Sequence, residues 1–506
     1  MLVLLFTAIV LELCLYSRFL WRFRAWASIV VVALGCFVHG QLVIAYLGIG
    51  AWVLLFCQLF RILNLLRVGK GRMHQQYLQK TTRRTSLVLA GITIIGLGLL
   101  WAEQSYPQFF SLRNVLMTLA VLQVGTAVTL LITTFRRLSR MTPKGSLDGR
   151  PISELPTVTV AIPARNETES LGKLLDSVLA SDYPKLEVLV YDDCSQDSTS
   201  DVIKAYAQAG VRFLHGQSPK ENWVAKNQAY EQLLKAASGE WVLFCGADSR
   251  LGHQTISALV AHVSIVQKSM VSVLPRHVAG GVLDGFIQPL RYWWQLAVPR
   301  RIFNRPAALS TCWFIKQSTL NKLGGFGAVS QSVVPEAYFA RRVAYDSDGY
   351  SFLRNAGALE LVSEKPFFDQ FDRALRVRYP EVHRRLELVM LIVLAEALLL
   401  IAPFGVLVFA IAYGWGTLTL LTASSAVLLT ATNMMILSIS SRQRLVPAIV
   451  NFPIISLVEM VIGLASMLAY EFGTIDWKGR NICLPAMHTQ PKTRSSKHRH
   501  GKHASH

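Results

Sequence analysis

Acidic residues are scarce in this chain, and charge of either sign is thin. Only 31 of 506 residues are Asp or Glu, against 51 Lys or Arg, and charged residues total 16%. A soluble chain of this length carries more. Cysteine is sparse too: there are seven, and none pairs as CxxC. Cys14, Cys36 and Cys57 fall in apolar runs; Cys194, Cys245 and Cys312 fall in the middle, where a cytoplasmic setting keeps them reduced. No GxGxxG follows the first strand and no P-loop is present, which removes the close backbone approach to pyrophosphate of dinucleotide sites. No interleaved basic-aromatic module is found either, so nucleic acid is not expected as a partner. The net charge of +20 lies mostly in loops and tail and suits a membrane facing anionic lipid.

What the chain has instead is long apolar runs at both ends. Leu2–Tyr16, Ala25–Leu66 (long enough for two helices), Ser86–Trp101 and Val115–Phe135 precede a more polar middle; Leu386–Tyr413, Thr417–Leu437 and Val446–Tyr470 follow it. A crossing helix needs roughly 20 apolar residues for a ~30 Å core. Four regions are therefore expected: an amino-terminal membrane region over 1–135 with about five helices, a cytoplasmic domain over 136–385, carboxyl-terminal transmembrane or interfacial helices over 386–470, and a basic, histidine-rich tail over 471–506 that reads as solvated. Arginine and lysine clusters follow the first, third and fifth of the expected amino-terminal helices, and the positive-inside rule puts the middle domain in the cytoplasm of an integral protein of a bacterial cell membrane. Three full carboxyl-terminal crossings would leave the basic tail outside. One of these segments is therefore expected to be re-entrant or interfacial, with Pro403 and Pro453 marking possible breaks.

The middle alternates short β-branched runs with amphipathic stretches. "TVTVAIP" (157–163), "LEVLVY" (186–191), "VRFLH", "EWVLFC" and "MVSVLP" read as strands; Leu171, Leu174, Leu175, Val178 and Leu179 form a helical stripe between the first two. This order predicts an α/β fold, a mostly parallel sheet flanked by helices, inserted between two groups of transmembrane helices. In such sheets ligands bind beyond the carboxyl ends of the strands. At that edge stand Pro163, Arg165, Asn166 and Glu167, then Asp192 and Asp193, then Asp248. Carboxylates from several strand ends, with Lys226 nearby, suit a nucleotide-sugar: one acid can accept from base or ribose, another can hold a divalent cation, and the lysine offsets phosphate charge. Asp197–Ser200 reads as the cap of the following helix.

Several strings then match a known pattern. "VAIPARNE", "VLVYDDCSQDST", "VLFCGADSRL" and "STCWFIKQSTLNKLGGF" occur in the order found in family-2 glycosyltransferases, and the region from about 156 to 360 resembles that family; "NWVAKNQA" is similar to the GWxGKxxA of its ceramide-glucosyltransferase-like and carotenoid- or hopanoid-associated branch. The resemblance implies a glycosyltransferase A-type domain. It implies nucleotide-sugar binding at Pro163, Arg165, Glu167, Asp192, Asp193 and Lys226, and a Mg²⁺ or Mn²⁺ cofactor at Asp248. Glu336 takes the place of the catalytic base, and an inverting transfer to the hydroxyl of a membrane lipid follows. Three features depart from the family pattern. The DxD is reduced to Gly246-Ala247-Asp248, the ED pair appears as Pro335-Glu336, and no QxxRW follows Glu336. The last weakens the alternative of a polysaccharide or polyprenyl-linked glycan synthase; the first two motivate the alternative of a non-catalytic membrane scaffold. "QPLRYW" (288–293) reads as an interfacial aromatic segment with Trp293 and Trp294 near the headgroups. "IDWKGR" resembles the WxGR that closes related membrane members on the cytoplasmic side.

Overall fold

The computed structural model describes residues 48–70, 75–278, 288–298, 306–345, 349–441, 446–473, 475–478 and 480–482, together with Val30 and Ala33. The run Leu2–Tyr16, most of the first half of Ala25–Leu66 and the tail beyond residue 482 lie outside these residues.

Three helices precede the middle domain: α1 (Ile49–Lys70), α2 (Gln75–Ser105) and α3 (Leu112–Arg140). Segments 84–105 of α2 and 112–140 of α3 are long and apolar enough to cross a membrane, as are α12 (Leu386–Ala412), α13 (Gly416–Ser440) and residues 452–471 of α14 (Val446–Glu471). Two sets of apolar helices thus flank the sheet domain. Polar contacts tie them together: Arg84 of α2 pairs with Glu387 of α12 at 2.5 Å, and Gln123 of α3 donates to the Leu398 carbonyl at 2.8 Å.

The domain between them is built on β1 (Val158–Ala164), α4 (Thr168–Leu179), β2 (Leu186–Asp192), α5 (Thr199–Ala205), β3 (Val211–His215), α6 (Ala225–Ala236), β4 (Trp241–Cys245), β5 (Ser249–Leu251), α7 (Thr255–Val266), β6 (Met270–Leu274) and β7 (Arg276–His277). After α8 (Gln288–Leu296) come β8 (Cys312–Lys316), α9 (Gln317–Lys322), α10 (Pro335–Tyr345), β9 (Tyr350–Arg354), β10 (Leu361–Ser363) and α11 (Phe367–Glu381). The main sheet runs β3-β2-β1-β4-β8-β6-β9. It is parallel except at β8, which is antiparallel to both neighbours. A parallel sheet covered on both faces needs strands that are apolar throughout. β1, β4 and β6 comply: all residues of β4 and β6 are buried. The expected stripe of α4 closes one face, with Leu171, Leu174, Leu175 and Val178 fully buried, each contributing about 1.5–3 kcal/mol.

The strand order matters for function. The chain leaves β1 toward β2 and β3, then returns to place β4 on the other side of β1. The crevice at that reversal lies between the loops that follow β1 and β4, where such sheets bind ligands. Close packing sharpens the edge: a Cβ at Gly216, just past β3, would come within 2.0 Å of the Asp192 carbonyl oxygen.

The carboxyl-terminal helices return to this domain. Ser441, just past α13, bridges to His277 of β7. At the far end of α14, Glu471 accepts from the Tyr379 hydroxyl at 2.5 Å, and a hairpin of β11 (Asp476–Trp477) and β12 (Arg480–Asn481) follows. The carboxyl ends of α13 and α14 therefore reach the sheet domain and its adjoining helix α11, respectively. The aromatic segment of α8 differs from expectation: Trp293 is fully buried with its ring 5.7 Å from that of Phe452 in α14. Its indole fills a protein core between helices rather than a headgroup layer.

Candidate active site

A cleft of about 860 Å³ opens at the carboxyl edge of β1, β2 and β4. Pro163, Arg165, Glu167, Asp193, Lys226 and Asp248 all line it. Asp192 does not. Its carboxylate is buried and engaged within its own loop, accepting from the Ser195 amide at 3.0 Å and from the Ser200 hydroxyl. It shapes the turn that presents Asp193. That turn carries Cys194 at φ 54°, in the left-handed region. Asp197 serves two helices: its Oδ1 accepts from the Thr199 amide at 3.1 Å at the start of α5, and its Oδ2 accepts at 2.7 Å from the Thr168 hydroxyl at the start of α4.

Arg165 is buried, and its Nη1 donates to the Asp193 carbonyl at 2.6 Å and the Cys194 carbonyl at 2.9 Å. Its guanidinium thus holds the ends of β1 and β2 together. Asp193 is almost fully buried, and burial raises its carboxyl above the ordinary range, although the charges of Arg480 and Arg165 pull the other way. Lys226, at the start of α6, lies 5.2 Å from the Tyr230 ring. Burial lowers its ammonium to about 8, against the opposing pull of the Glu336 carboxylate.

Asp248 answers to two cations that the sequence patterns did not flag. Lys365, just past β10, pairs with it at 2.9 Å. Burial alone would raise the Asp248 carboxyl, but the charges of Lys365 and Arg373 hold it well below the carboxylate range. The carboxylate is therefore ionised and faces the cleft. The reduced motif has a steric counterpart: a Cβ at Gly246 would lie 2.7 Å from Asp248 Oδ1, so a side chain there would displace the remaining acid. Among the described residues no three His, Cys, Asp or Glu side chains gather as a metal cage. The donor set still fits a hard divalent ion bound by one protein carboxylate, with ligand oxygens and water completing the shell.

The carboxyl-terminal hairpin is the second feature without a local signal. Arg480 donates to Asp193 Oδ2 at 2.7 Å, and Lys478 pairs with Glu167. The Lys478 carbonyl accepts from Arg165 at 3.2 and 3.3 Å, and Trp477 receives the Arg376 guanidinium 5.9 Å from its ring centroid. Residues 287 to 313 positions apart thus close one rim. The only forewarning was "IDWKGR", read as a cytoplasmic closing segment; the structure lays it on the cleft itself.

Glu336 is buried in the first turn of α10, one residue after Pro335. It lines a neighbouring cavity on the helix side. The partition between the two spaces is thin. Val333 faces the cleft and Val334 the cavity; Val377 faces the cleft and Arg378 the cavity. The loop before α10 is pinned to the Lys226 segment by Asn227, whose amide donates to the carbonyls of Val329 at 2.8 Å and Ser332 at 2.7 Å. The structure therefore brings Asp193, Asp248 and Lys226 into one cleft and sets Glu336 at the adjoining wall, close enough to influence the Lys226 ammonium.

Comparison with known proteins agrees with the sheet domain. Residues 159–324 match Glycosyl transferase family 2. The 4,4'-diaponeurosporenoate glycosyltransferase of Staphylococcus aureus is 30% identical over 131 residues, which is 26% of this chain and 34% of that protein. Glycosyltransferase AglE of Haloferax volcanii is 28% identical over 180 residues, 34% of this chain and 57% of that protein. The chain thus spans between a third and just over half the length of these relatives. Among solved structures, the mannosyltransferase PcManGT of Pyrobaculum calidifontis, in complex with GDP-Man and Mn2+, superposes with a TM-score of 0.42 at 17% identity, covering 70% of this chain and 98% of that one.

Proposed function

We propose, from a chain whose residues 159–324 form a glycosyl transferase family 2 domain, that the protein moves a sugar from a nucleotide-diphospho-sugar to a membrane lipid hydroxyl with inversion. The observation that carries this reading is the cleft at the sheet reversal, where Asp193, Lys226 and Asp248 meet beside the wall that holds Glu336.

In this reading Asp193 accepts from the nucleotide base or ribose, and Arg165 keeps its loop in place. The cationic rim of Lys226, Lys365 and Arg373 faces the diphosphate. Asp248 would hold Mg²⁺ or Mn²⁺, which supplies charge neutralisation to the diphosphate. Glu336 takes the proton of the acceptor hydroxyl as its oxygen bonds to the anomeric carbon from the face opposite the diphosphate. The bond to the diphosphate oxygen breaks, and that oxygen keeps the electron pair. Positioned base catalysis of this kind contributes roughly 10²–10⁴-fold.

The same reading places the sheet domain in the cytoplasm. It also keeps the tail on the cytoplasmic side, consistent with the hairpin that lies on the cleft and with the tail's basic residues. The test is a donor panel. Purified protein is incubated with each nucleotide-sugar, Mn²⁺ and total membrane lipid, and lipids are weighed by mass spectrometry. A gain of one hexose or N-acetylhexosamine is expected. Long polymeric products would favour a polysaccharide synthase instead, and calorimetry showing no nucleoside diphosphate binding would favour a non-catalytic scaffold.

A further inference from the structure

The pair between Asp248 and Lys365 sits where a divalent ion would bind. Asp248 is the one acid left in the reduced motif. Its Oδ2 accepts from the Lys365 ammonium at 2.9 Å, and its Oδ1 lies against Gly246, where a Cβ would come within 2.7 Å. A cation of the protein therefore already holds the oxygen that a hard ion would seek. The pair is not sealed off: both residues line the cleft, and their side chains are 16% and 20% exposed for Lys365 and Asp248. A ligand can reach it.

Sheet register puts the lysine there. Strand β10 runs antiparallel to β5 with Ser363 opposite Ser249, and the Glu364 amide donates to the Asp248 carbonyl at 3.3 Å. Lys365 thus leaves the pairing beside Asp248. Its backbone is fixed as well: its carbonyl accepts from the Gln370 side-chain amide at 2.6 Å. The same nitrogen lies 3.2 Å from His277 Nε2, and His277 Nδ1 donates to the Ser363 carbonyl at 3.0 Å. Arg373 has its own anchor, donating to the Ser310 hydroxyl at 2.5 Å. The Lys365 ammonium has Asp248 as its only hydrogen-bonding partner among the described residues. An ammonium carries three donors, so two remain for a ligand. A divalent ion arriving alone would evict this ammonium into a cleft that already holds Lys226 and Arg373, with no new anion to meet it. An ion arriving with a diphosphate supplies that anion.

Resting on the transferase reading above, we infer that Lys365 is a placeholder for the metal: its ammonium holds the Asp248 carboxylate before the donor binds, and passes to a diphosphate oxygen when a divalent ion takes that carboxylate. Both charges stay paired before and after the exchange, and no covalent bond changes. Metal and diphosphate therefore strengthen each other's binding, by the same factor in each direction, and a divalent ion alone binds weakly.

The test uses the full chain in phosphatidylcholine nanodiscs. Free Mn²⁺ is counted by electron paramagnetic resonance, and UDP, GDP, CDP and dTDP are titrated by calorimetry. Lys365→Met keeps most of the side chain and removes the charge. It is expected to tighten Mn²⁺ binding without nucleotide about tenfold, and to weaken nucleoside diphosphate binding at saturating Mn²⁺ about tenfold. The opposite signs are the signature, because a lysine that merely held the Asp248 loop in place would weaken both. Lys365→Arg keeps the charge and should leave Mn²⁺ binding weak. The affinity gained in Lys365→Met should be lost again when Asp248→Asn is added. Unchanged or weaker Mn²⁺ binding in Lys365→Met, or a gain that survives Asp248→Asn, overturns the placeholder role while the transferase reading stands. Failure of every nucleoside diphosphate to bind overturns the transferase reading, and the nucleotide-free Mn²⁺ titration still decides whether Lys365 and the ion compete for Asp248.

Discussion

The two hollows on either side of Val333 and Val334 are built in opposite ways. The donor cleft is made of strand ends and loops, and its charges come in close pairs: Asp248 with Lys365, Asp193 with Arg480, Glu167 with Lys478. The cavity is made of helix faces, and its described acids outnumber its described bases. Paired charges can exchange partners, so a charged ligand enters the cleft by replacing one half of a pair instead of stripping a bare ion. In the cavity the Arg378 guanidinium is shared between Glu459 and Glu381. In the proposed reading the charged donor takes the cleft and the lipid hydroxyl meets Glu336 at the wall, and each prediction below strikes the cleft, its rim or that wall.

The wall should give the largest effect. Glu336→Gln keeps the shape but cannot take a proton, and turnover is expected to fall roughly 10²–10⁴-fold with donor affinity unchanged. Single-turnover kinetics with calorimetry in parallel check this. Turnover near the parent level would remove Glu336 from the base role. Next comes the cleft alone. Asp248→Asn should lower turnover about 10²–10³-fold and abolish the dependence on added Mn²⁺. Persisting metal dependence in the variant would mean that the ion is held elsewhere.

The contrast also explains what could be seen in the sequence. Strands β1, β2 and β4 were legible because short β-branched runs end abruptly in polar turns, and the parallel-sheet rule then gathers Glu167, Asp193 and Asp248 at one edge. The stripe of α4 was legible for the same local reason. Strand β8 escaped notice as a strand because "CWFIK" was read as part of a longer family string, and nothing local announces an antiparallel insertion between β4 and β6. Lys365, Arg373 and the hairpin cations were invisible because their partners lie 117 to 311 positions away in the chain. Asp192 and Asp193 are adjacent and chemically alike. Only the turn geometry decides that one stabilises the loop while the other faces the cleft.

A smaller effect should come from Lys226. Burial sets its ammonium near about 8, so it loses its proton as pH rises through that value. The charged form is the one that helps a diphosphate, and kcat/KM for the donor reports the free enzyme. This ratio should therefore decline above pH of about 8. Lys226→Arg, whose guanidinium stays charged, should hold it level to higher pH. An alkaline limb that persists in the arginine variant would assign the titration to another group.

The finest test concerns the hairpin. Burial raises the Asp193 carboxyl, and Arg480 is the first-ranked group acting against that rise. The ionised carboxylate is the form that accepts from a nucleotide base. Removing the arginine lets the carboxyl rise further, so the protonated form gains population first on the acid side. Arg480→Ala should accordingly weaken donor binding about three- to tenfold near ~pH 6 and hardly at all near ~pH 8. A rise in affinity at both pH values would show that Arg480 competes with the nucleotide for Asp193 and must leave before the donor binds. Calorimetric titration of the nucleoside diphosphate at the two pH values separates the two roles, because only a supporting arginine produces a loss confined to acid.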